Sequence, residues 1–487
     1  MFRAAMPTTG GNAVAKEFPF YCAGEWRTSD QPLEITNPYN DDVVGLTWYA
    51  TEKDYEEAVT AAENAFEETR KLGTYERVQI LQRMSDGMAK RQEEIAQIIA
   101  MEAGKPIRDA RVEAARGVFT LQIAIEEAKR IGGELIPLDL MASSAGRFGI
   151  TRRFPIGPIA GISPFNFPLN LALHKVAPAI ASGNTIVLKP PTRDPLTMLV
   201  FAQIVADSGL PKGAVSIMPM DRELGDRLVT DERFKLLSFT GSPAVGWDMK
   251  SRAGKKKVVL ELGGNAGVIV DEDADVDLAA ARVRVGAFAY AGQVCISVQR
   301  VYVHRSRMEE FSNKLVDQIK KMKIGDPLDE VTDLGPMIDD RAARRSEEWV
   351  SDAIREGAKA IIGGKAEGRF FQPTVLVDAK RTSFVCSREA FAPLVNLFPF
   401  DDFEEALKQV NDSVFGLQAG VFTSSLEHAL RAFETLDVGG VVVNDIPTYR
   451  IDHMPYGGVK DSGLSREGLR YSIEDMTEPR LMVINRV

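Results

Sequence analysis

Between residues 154 and 289, short apolar runs alternate with stretches of helical period, and few folds can accommodate that succession. Apolar runs fall at 154–162, 184–188, 215–218, 236–239 and 258–262, with helices expected from 196, near 224 and near 245. A further run at 266–270 leads into a helix over 278–289. Strands that return only after a helix predict a doubly wound sheet of parallel strands. A second series follows: strand 300–304, helices 308–322 and 338–356, strands 359–362, 374–377 and 395–399, helix 403–411, strand 419–423, helix 426–435 and strand 440–443. The fold class is therefore α/β, with two doubly wound domains, and 487 residues suffice for both.

The first third reads differently. Its first fifteen residues are small and polar and are expected to be loose. Short strands at 18–26 and 33–37 precede helices starting at 51, 74, 93 and 107. The last of these is expected to bury Val112, Ala115, Phe119 and Ile123. Residues 132–149, rich in Gly, Ser and Pro, suggest a hairpin standing off the globule, and 481–487 alternate like a strand.

Composition excludes several functions. The net charge of −10 disfavours nucleic acid as a general partner. Three cysteines, odd in number and far apart, form no disulfide framework and suggest a reducing cytoplasm. The four histidines lack metal-ligand spacing, so no metal site is expected. No secretory leader or membrane-length apolar run is visible.

Three stretches carry chemistry. Cys295 follows Gly292-Gln293-Val294, where a turn can present a thiol, although a lone cysteine is also a common core residue. Asn166 lies between Pro164 and Pro168, rigid enough to hold an oxyanion or simply to cap a turn. Glu261 interrupts an apolar strand before Gly263-Gly264; it is either a general base of raised pKa or a charge on a solvated edge.

Together these stretches resemble the NAD(P)-dependent aldehyde dehydrogenase superfamily. The matching pieces are Pro164-Phe165-Asn166-Phe167-Pro168, Leu188-Lys189-Pro190, Phe239-Thr240-Gly241-Ser242, Leu260-Glu261-Leu262-Gly263-Gly264, Gly292-Gln293-Val294-Cys295, Glu389-Ala390-Phe391-Ala392-Pro393 and Met454-Pro455-Tyr456-Gly457-Gly458-Val459-Lys460. The resemblance implies Cys295 as nucleophile, Asn166 as oxyanion donor and Glu261 as the base that activates water, with oxidation running through a thiohemiacetal and a thioester to a carboxylic acid. It implies a dinucleotide-binding domain of 1–131 and 151–258, a catalytic domain of 259–443, and a small β oligomerisation arm of 132–150 and 470–487. That arm implies a homodimer or homotetramer.

NADP or NAD is expected at Ser163, Pro164, Phe165, Lys189, Thr192, Gly241, Ser242, Gly246, Leu262, Glu389 and Phe391. No Gly-x-Gly-x-x-Gly follows a strand, as in this family. Thr192 stands where many NAD-preferring members carry Glu; without that carboxylate a 2′-phosphate is not repelled, so NADP or dual use is favoured. Arg116, His174 and Arg450 are expected to face a small hydroxylated or anionic aldehyde such as lactaldehyde, glyceraldehyde 3-phosphate or a semialdehyde. Val294, where phosphate-using relatives carry Arg, counts against a phosphate, and pairing of Arg116 with a nearby Glu is the competing reading. A Cys-dependent hydrolase and a catalytically silent binding protein are the rival classes.

Overall fold

The structure, a computed structural model, describes residues 16–486. The expectation of a loose start falls on the first fifteen residues, outside that range. In the first sheet, five parallel strands lie in the order Val215–Ile217, Ile186–Lys189, Ile159–Ile162, Leu236–Thr240, Lys257–Glu261. Numbered along the chain, this is 3-2-1-4-5, the order of a dinucleotide-binding sheet. Phe20–Cys22 and Glu25–Arg27 close one edge and Gly463–Leu464 the other, all antiparallel. The order reverses between Ile159–Ile162 and Leu236–Thr240, which opens a crevice at their carboxyl ends.

The second sheet has six parallel strands: Thr374–Val377, Leu394–Phe400, Val298–His304, Ala266–Val270, Gln418–Phe422 and Gly440–Val443. Lys359–Ile362 adds an antiparallel edge. A third sheet joins Thr477–Asn485, Arg147–Pro155 and Leu135–Pro137, all antiparallel. Its side chains Leu135, Leu481, Met482 and Val483 are exposed. Among the described residues no helix is long and apolar enough to cross a membrane.

Several boundaries move. The division at 258/259 cuts a strand: Lys257–Glu261 pairs along its length with Leu236–Thr240, and the chain changes sheet at 263–265. Residues 470–475 belong to the helix Leu469–Asp475, whose Leu469 and Ile473 pack in the first core, so the terminal strand of the arm begins at Thr477. The apolar stretch 154–162 is two elements separated by Gly157, whose φ of +131° favours glycine. The helix Ile107–Ala128 buries Ala110, Glu113, Ala114, Gly117, Thr120, Leu121 and Ala124, while Val112 is 60% exposed. Polar Glu113 and Thr120 sit on its buried face, which shifted the expected apolar stripe.

Candidate active site

The carboxyl ends of the first sheet face the amino ends of the second. Strand Lys257–Glu261 delivers Glu261 to this junction, and the turn before Val298–His304 delivers Cys295. Ahead of Cys295, Tyr290, Ala291 and Gly292 all have positive φ, at 48°, 52° and 67°. Two consecutive left-handed non-glycine residues are strained and must be held from outside. The Tyr290 phenol donates to the Ala103 carbonyl at 2.7 Å, and Gln293 Oε1 accepts the Ile338 N–H at 2.9 Å. A Cβ on Gly292 would lie 2.1 Å from the Ala392 carbonyl oxygen, so only glycine fits there. The inert-core reading fits Cys22 and Cys386, which are buried, better than half-buried Cys295.

Cys295 Sγ lies 3.1 Å from Tyr456 Oη. Burial pushes the thiol up to about 12, while the Tyr456 hydrogen bond and the Arg450 charge act the other way. The resting group is a thiol, which must lose its proton to attack.

Asn166 Nδ2 donates to the Gln293 carbonyl at 3.0 Å, which sets this amide two residues from Cys295. Its own carbonyl accepts from Lys105 Nζ at 2.8 Å. Lys105 is ion-paired with Glu113, both fully buried, and its ammonium lies 3.8 Å from the Phe167 ring centroid. Glu113 Oε1 also accepts the N–H groups of Leu169, at 3.1 Å, and Asn170, at 3.3 Å. One buried ion pair thus fixes both ends of the Asn166 loop.

Glu261 is 3% exposed, and neither carboxylate oxygen has a partner among the described residues. Burial, then the charge of Glu467, raise its pKa well above the usual range. Glu467 behaves oppositely. Burial opposes its ionisation, yet Lys175 and Arg450 hold it down to about 2. Lys175 Nζ donates to Glu467 at 3.2 Å and to Thr240 Oγ1 at 2.7 Å; Arg450 Nη2 donates to Glu467 at 2.9 Å and lies over the Tyr456 ring at 3.7 Å. Two neighbouring carboxyl groups thus differ in charge, Glu261 neutral and Glu467 ionised, and Glu467 anchors the cations.

The expected substrate residues are partly committed elsewhere. Arg116 Nη2 donates to Asp452 Oδ1 at 2.7 Å, and His174 Nε2 lies 2.9 Å from the same oxygen. The partner of Arg116 is an aspartate 336 residues away, not a neighbouring Glu. Burial lowers the His174 pKa, and the ring is neutral. Arg450 is paired with Glu467 and retains an unpartnered, buried Nε. Arg116, Lys175 and Arg450 are set against ionised Asp452 and Glu467, and of these cations Arg450 is the one whose charge acts on Cys295.

The expected cofactor residues lie at the carboxyl ends of the first sheet and across the crevice from it. Ser163, Pro164 and Phe165 follow Ile159–Ile162, Lys189 and Thr192 end the next strand, and Gly241 and Ser242 follow Leu236–Thr240. The helix Pro243–Arg252 opens at Ser242 without a side-chain cap, leaving N–H groups for an anion. Gly246 lets that helix rest on Leu262: a Cβ there would lie 2.5 Å from the leucine Cδ2. Burial pushes Lys189 down to about 8; its Nζ lies 3.4 Å from Thr192 Oγ1, and no carboxylate pairs with it among the described residues. From the second domain, Phe391 meets Phe165 edge-on at 5.8 Å. Glu389, pushed up to about 7 by burial, accepts the Gly264 N–H at 3.1 Å.

A cavity of about 760 Å³ lies beside these residues, lined by Phe165, Thr192 and Phe391 and by Arg341, Arg344 and Arg345 of the helix Asp340–Arg355. The arginines were not singled out from the sequence; their spacing at the start of an exposed helix was the available signal. A crevice at the strand-order reversal, a free helix N-terminus, an unpaired lysine and an arginine-rich wall together fit a phosphate-bearing dinucleotide. Lys105, Glu113, Lys175 and Glu467 also escaped the sequence reading, whereas Tyr456 lies in one of the matching pieces. Lys175 alone left a trace, as a charge inside an apolar helix.

Residues 26–482 match the model of the aldehyde dehydrogenase family. The 3-sulfolactaldehyde dehydrogenase of Priestia aryabhattai is 45% identical over 96% of this chain and 98% of its own length. The lactaldehyde dehydrogenase of Methanococcus aeolicus is 37% identical over 95% of this chain and 99% of its own. Aldehyde dehydrogenase 21 from Physcomitrella patens, solved with its reaction product succinate, superposes with a TM-score of 0.95 at 46% identity, over 97% of this chain and 99% of that one. The glyceraldehyde-3-phosphate dehydrogenase GapN from Methanocaldococcus jannaschii, complexed with NADP, gives 0.90 at 38% identity, over 94% and 100%. A family match spanning nearly the whole chain, with the Cys295 thiol, the Asn166 amide and the Glu261 carboxyl group gathered at one junction, places this protein in the aldehyde dehydrogenase family.

Proposed function

We propose that this enzyme oxidises a short aldehyde bearing a carboxylate or sulfonate to the corresponding acid, with a preference for NADP. One observation carries the reading: the thiol, amide and unpartnered carboxyl group of Cys295, Asn166 and Glu261 meet where the buried Arg450 charge acts on both Cys295 and Glu261. The Cys295 thiolate adds to the carbonyl carbon, giving a thiohemiacetal whose oxyanion is received by Asn166 Nδ2 and the Cys295 backbone N–H. The dinucleotide, when bound, supplies the hydride acceptor. Oxidation leaves a thioester on Cys295. Glu261, once ionised, takes a proton from water as it attacks that thioester, and the acid departs as that proton passes to the released Cys295 sulfur.

The substrate class is favoured by the names of the relatives, a sulfonated aldehyde for one and a dicarboxylic product for another. Val294 beside the cysteine weighs against a phosphate. Thr192 and the arginine wall favour a cofactor with a third phosphate, and one similar structure carries NADP. The exposed apolar face of the third sheet favours a homodimer or homotetramer. Three free cysteines favour the cytoplasm.

The test is kcat/KM for succinate semialdehyde, lactaldehyde, glyceraldehyde 3-phosphate and hexanal with each cofactor. The anionic, non-phosphorylated aldehyde should lead. Preference for hexanal would overturn the substrate class, and turnover indifferent to added cofactor would favour a hydrolase.

A further inference from the structure

Buried polar atoms in folded proteins almost always have partners, so a buried side chain without one marks a place that a ligand completes. Asn170 is 2% exposed, and neither Oδ1 nor Nδ2 has a hydrogen-bond partner among the described residues. Its position is well fixed. It opens the helix Asn170–Ser182, and its N–H donates to Glu113, the carboxylate paired with Lys105 behind Asn166. On the same helix face, one turn further on, His174 meets Asp452, which also holds Arg116. Asn170 thus follows Asn166 by four residues and precedes His174 by four, about 6 Å of helix rise.

We propose that Asn170 is a specificity-determining residue that reads a hydroxyl on the substrate carbon next to the reacting carbonyl. This rests on the aldehyde-oxidising function above and adds a 2-hydroxyl to the acidic aldehyde proposed there, the product then being a 2-hydroxy acid. A primary amide offers an acceptor and a donor pair, and an alcohol offers one donor and two lone pairs, so the two groups satisfy each other. The neutral His174 ring donates from Nε2 to Asp452, which leaves Nδ1, also buried and unpartnered, as a second acceptor on that face. A substrate lacking the hydroxyl leaves the amide desolvated and unpaired, which discriminates against it by about 10- to 100-fold.

Lactaldehyde and propanal differ only in that hydroxyl. Their kcat/KM ratio is measured for the wild type, Asn170→Leu and Asn170→Ser. The wild-type ratio should favour lactaldehyde by about 10- to 100-fold and fall to within about threefold in Asn170→Leu. Asn170→Ser, which restores a hydrogen-bonding group and suits the site should the leucine variant fail to fold, should give an intermediate ratio. A wild-type ratio near one, or a ratio unchanged in either variant, overturns the assignment of Asn170. Absence of NAD(P) reduction by the wild type with every aldehyde, succinate semialdehyde included, removes the underlying function instead.

Discussion

Replacing Lys105 with methionine separates positioning of the oxyanion amide from stability. The Lys105 ammonium and Glu113 carboxylate are each 1% exposed, so the pair is shielded by the packed protein around it. Removing one partner strands a buried charge, which costs about 3–5 kcal/mol. The same change frees the Asn166 carbonyl, held by Lys105 at 2.8 Å. A well-placed oxyanion donor is worth about 2.7–4 kcal/mol, or 10²–10³ in kcat, and this sets the ceiling on the loss. Lys105 acts through Asn166 without touching the reacting atoms, so a fall of about tenfold in kcat with KM for the cofactor nearly constant is expected. Glu113 can be neutralised in the same chain. Lys105→Met with Glu113→Gln should recover much of the melting temperature, since Gln still accepts from Leu169 and Asn170, yet leave kcat low. Thermal melts and steady-state kinetics on the three proteins decide it. A Lys105→Met enzyme within twofold of wild-type kcat, or a double variant that regains full turnover, would refute the reasoning.

Three further outcomes follow from the electrostatics. Glu261 has a folded-state pKa above its unfolded value, so the folded protein holds a proton that the unfolded chain releases; stability is lost as pH rises from about 4.3 toward the folded pKa. Glu261→Gln should therefore melt higher than the wild type at pH 7.5, and an equal or lower melting temperature contradicts the burial account. Lys189, near 8, binds cofactor phosphate or ribose best while protonated; NADPH affinity by fluorescence titration should fall about tenfold from pH 7 to pH 9, and a flat profile removes Lys189 from that role. Thr192→Glu should weaken NADPH by tenfold or more while sparing NADH, as a carboxylate repels the 2′-phosphate. Equal loss for both cofactors would place the 2′-phosphate elsewhere.

The parallel sheets were legible because most of their strands are short apolar runs and many are followed by a helix signal, a property of local sequence. Cys295, Asn166 and Glu261 were legible through their motifs, although each alone allowed a bland reading. What supports them was not legible. Glu113 looks like a solvated helix charge until Lys105 and the Asn166 loop come over it. Glu467 and Lys175 are joined across 292 residues, and Arg116 and Asp452 across 336. Such pairs leave no periodicity, because burial at each end depends on what arrives from elsewhere. For that reason Arg116 and Arg450 were expected as free cations facing a substrate, and their pairing with Asp452 and Glu467 was not foreseen.

The account stands on acyl transfer to one sulfur. Glu261→Gln enzyme mixed with the preferred aldehyde and NADP should release one equivalent of NADPH per active site and then slow sharply. Intact-protein mass spectrometry of the quenched mixture should show one acyl adduct, and peptide mapping should place it on Cys295. A burst with no adduct, or an adduct on Cys22 or Cys386, would contradict the account.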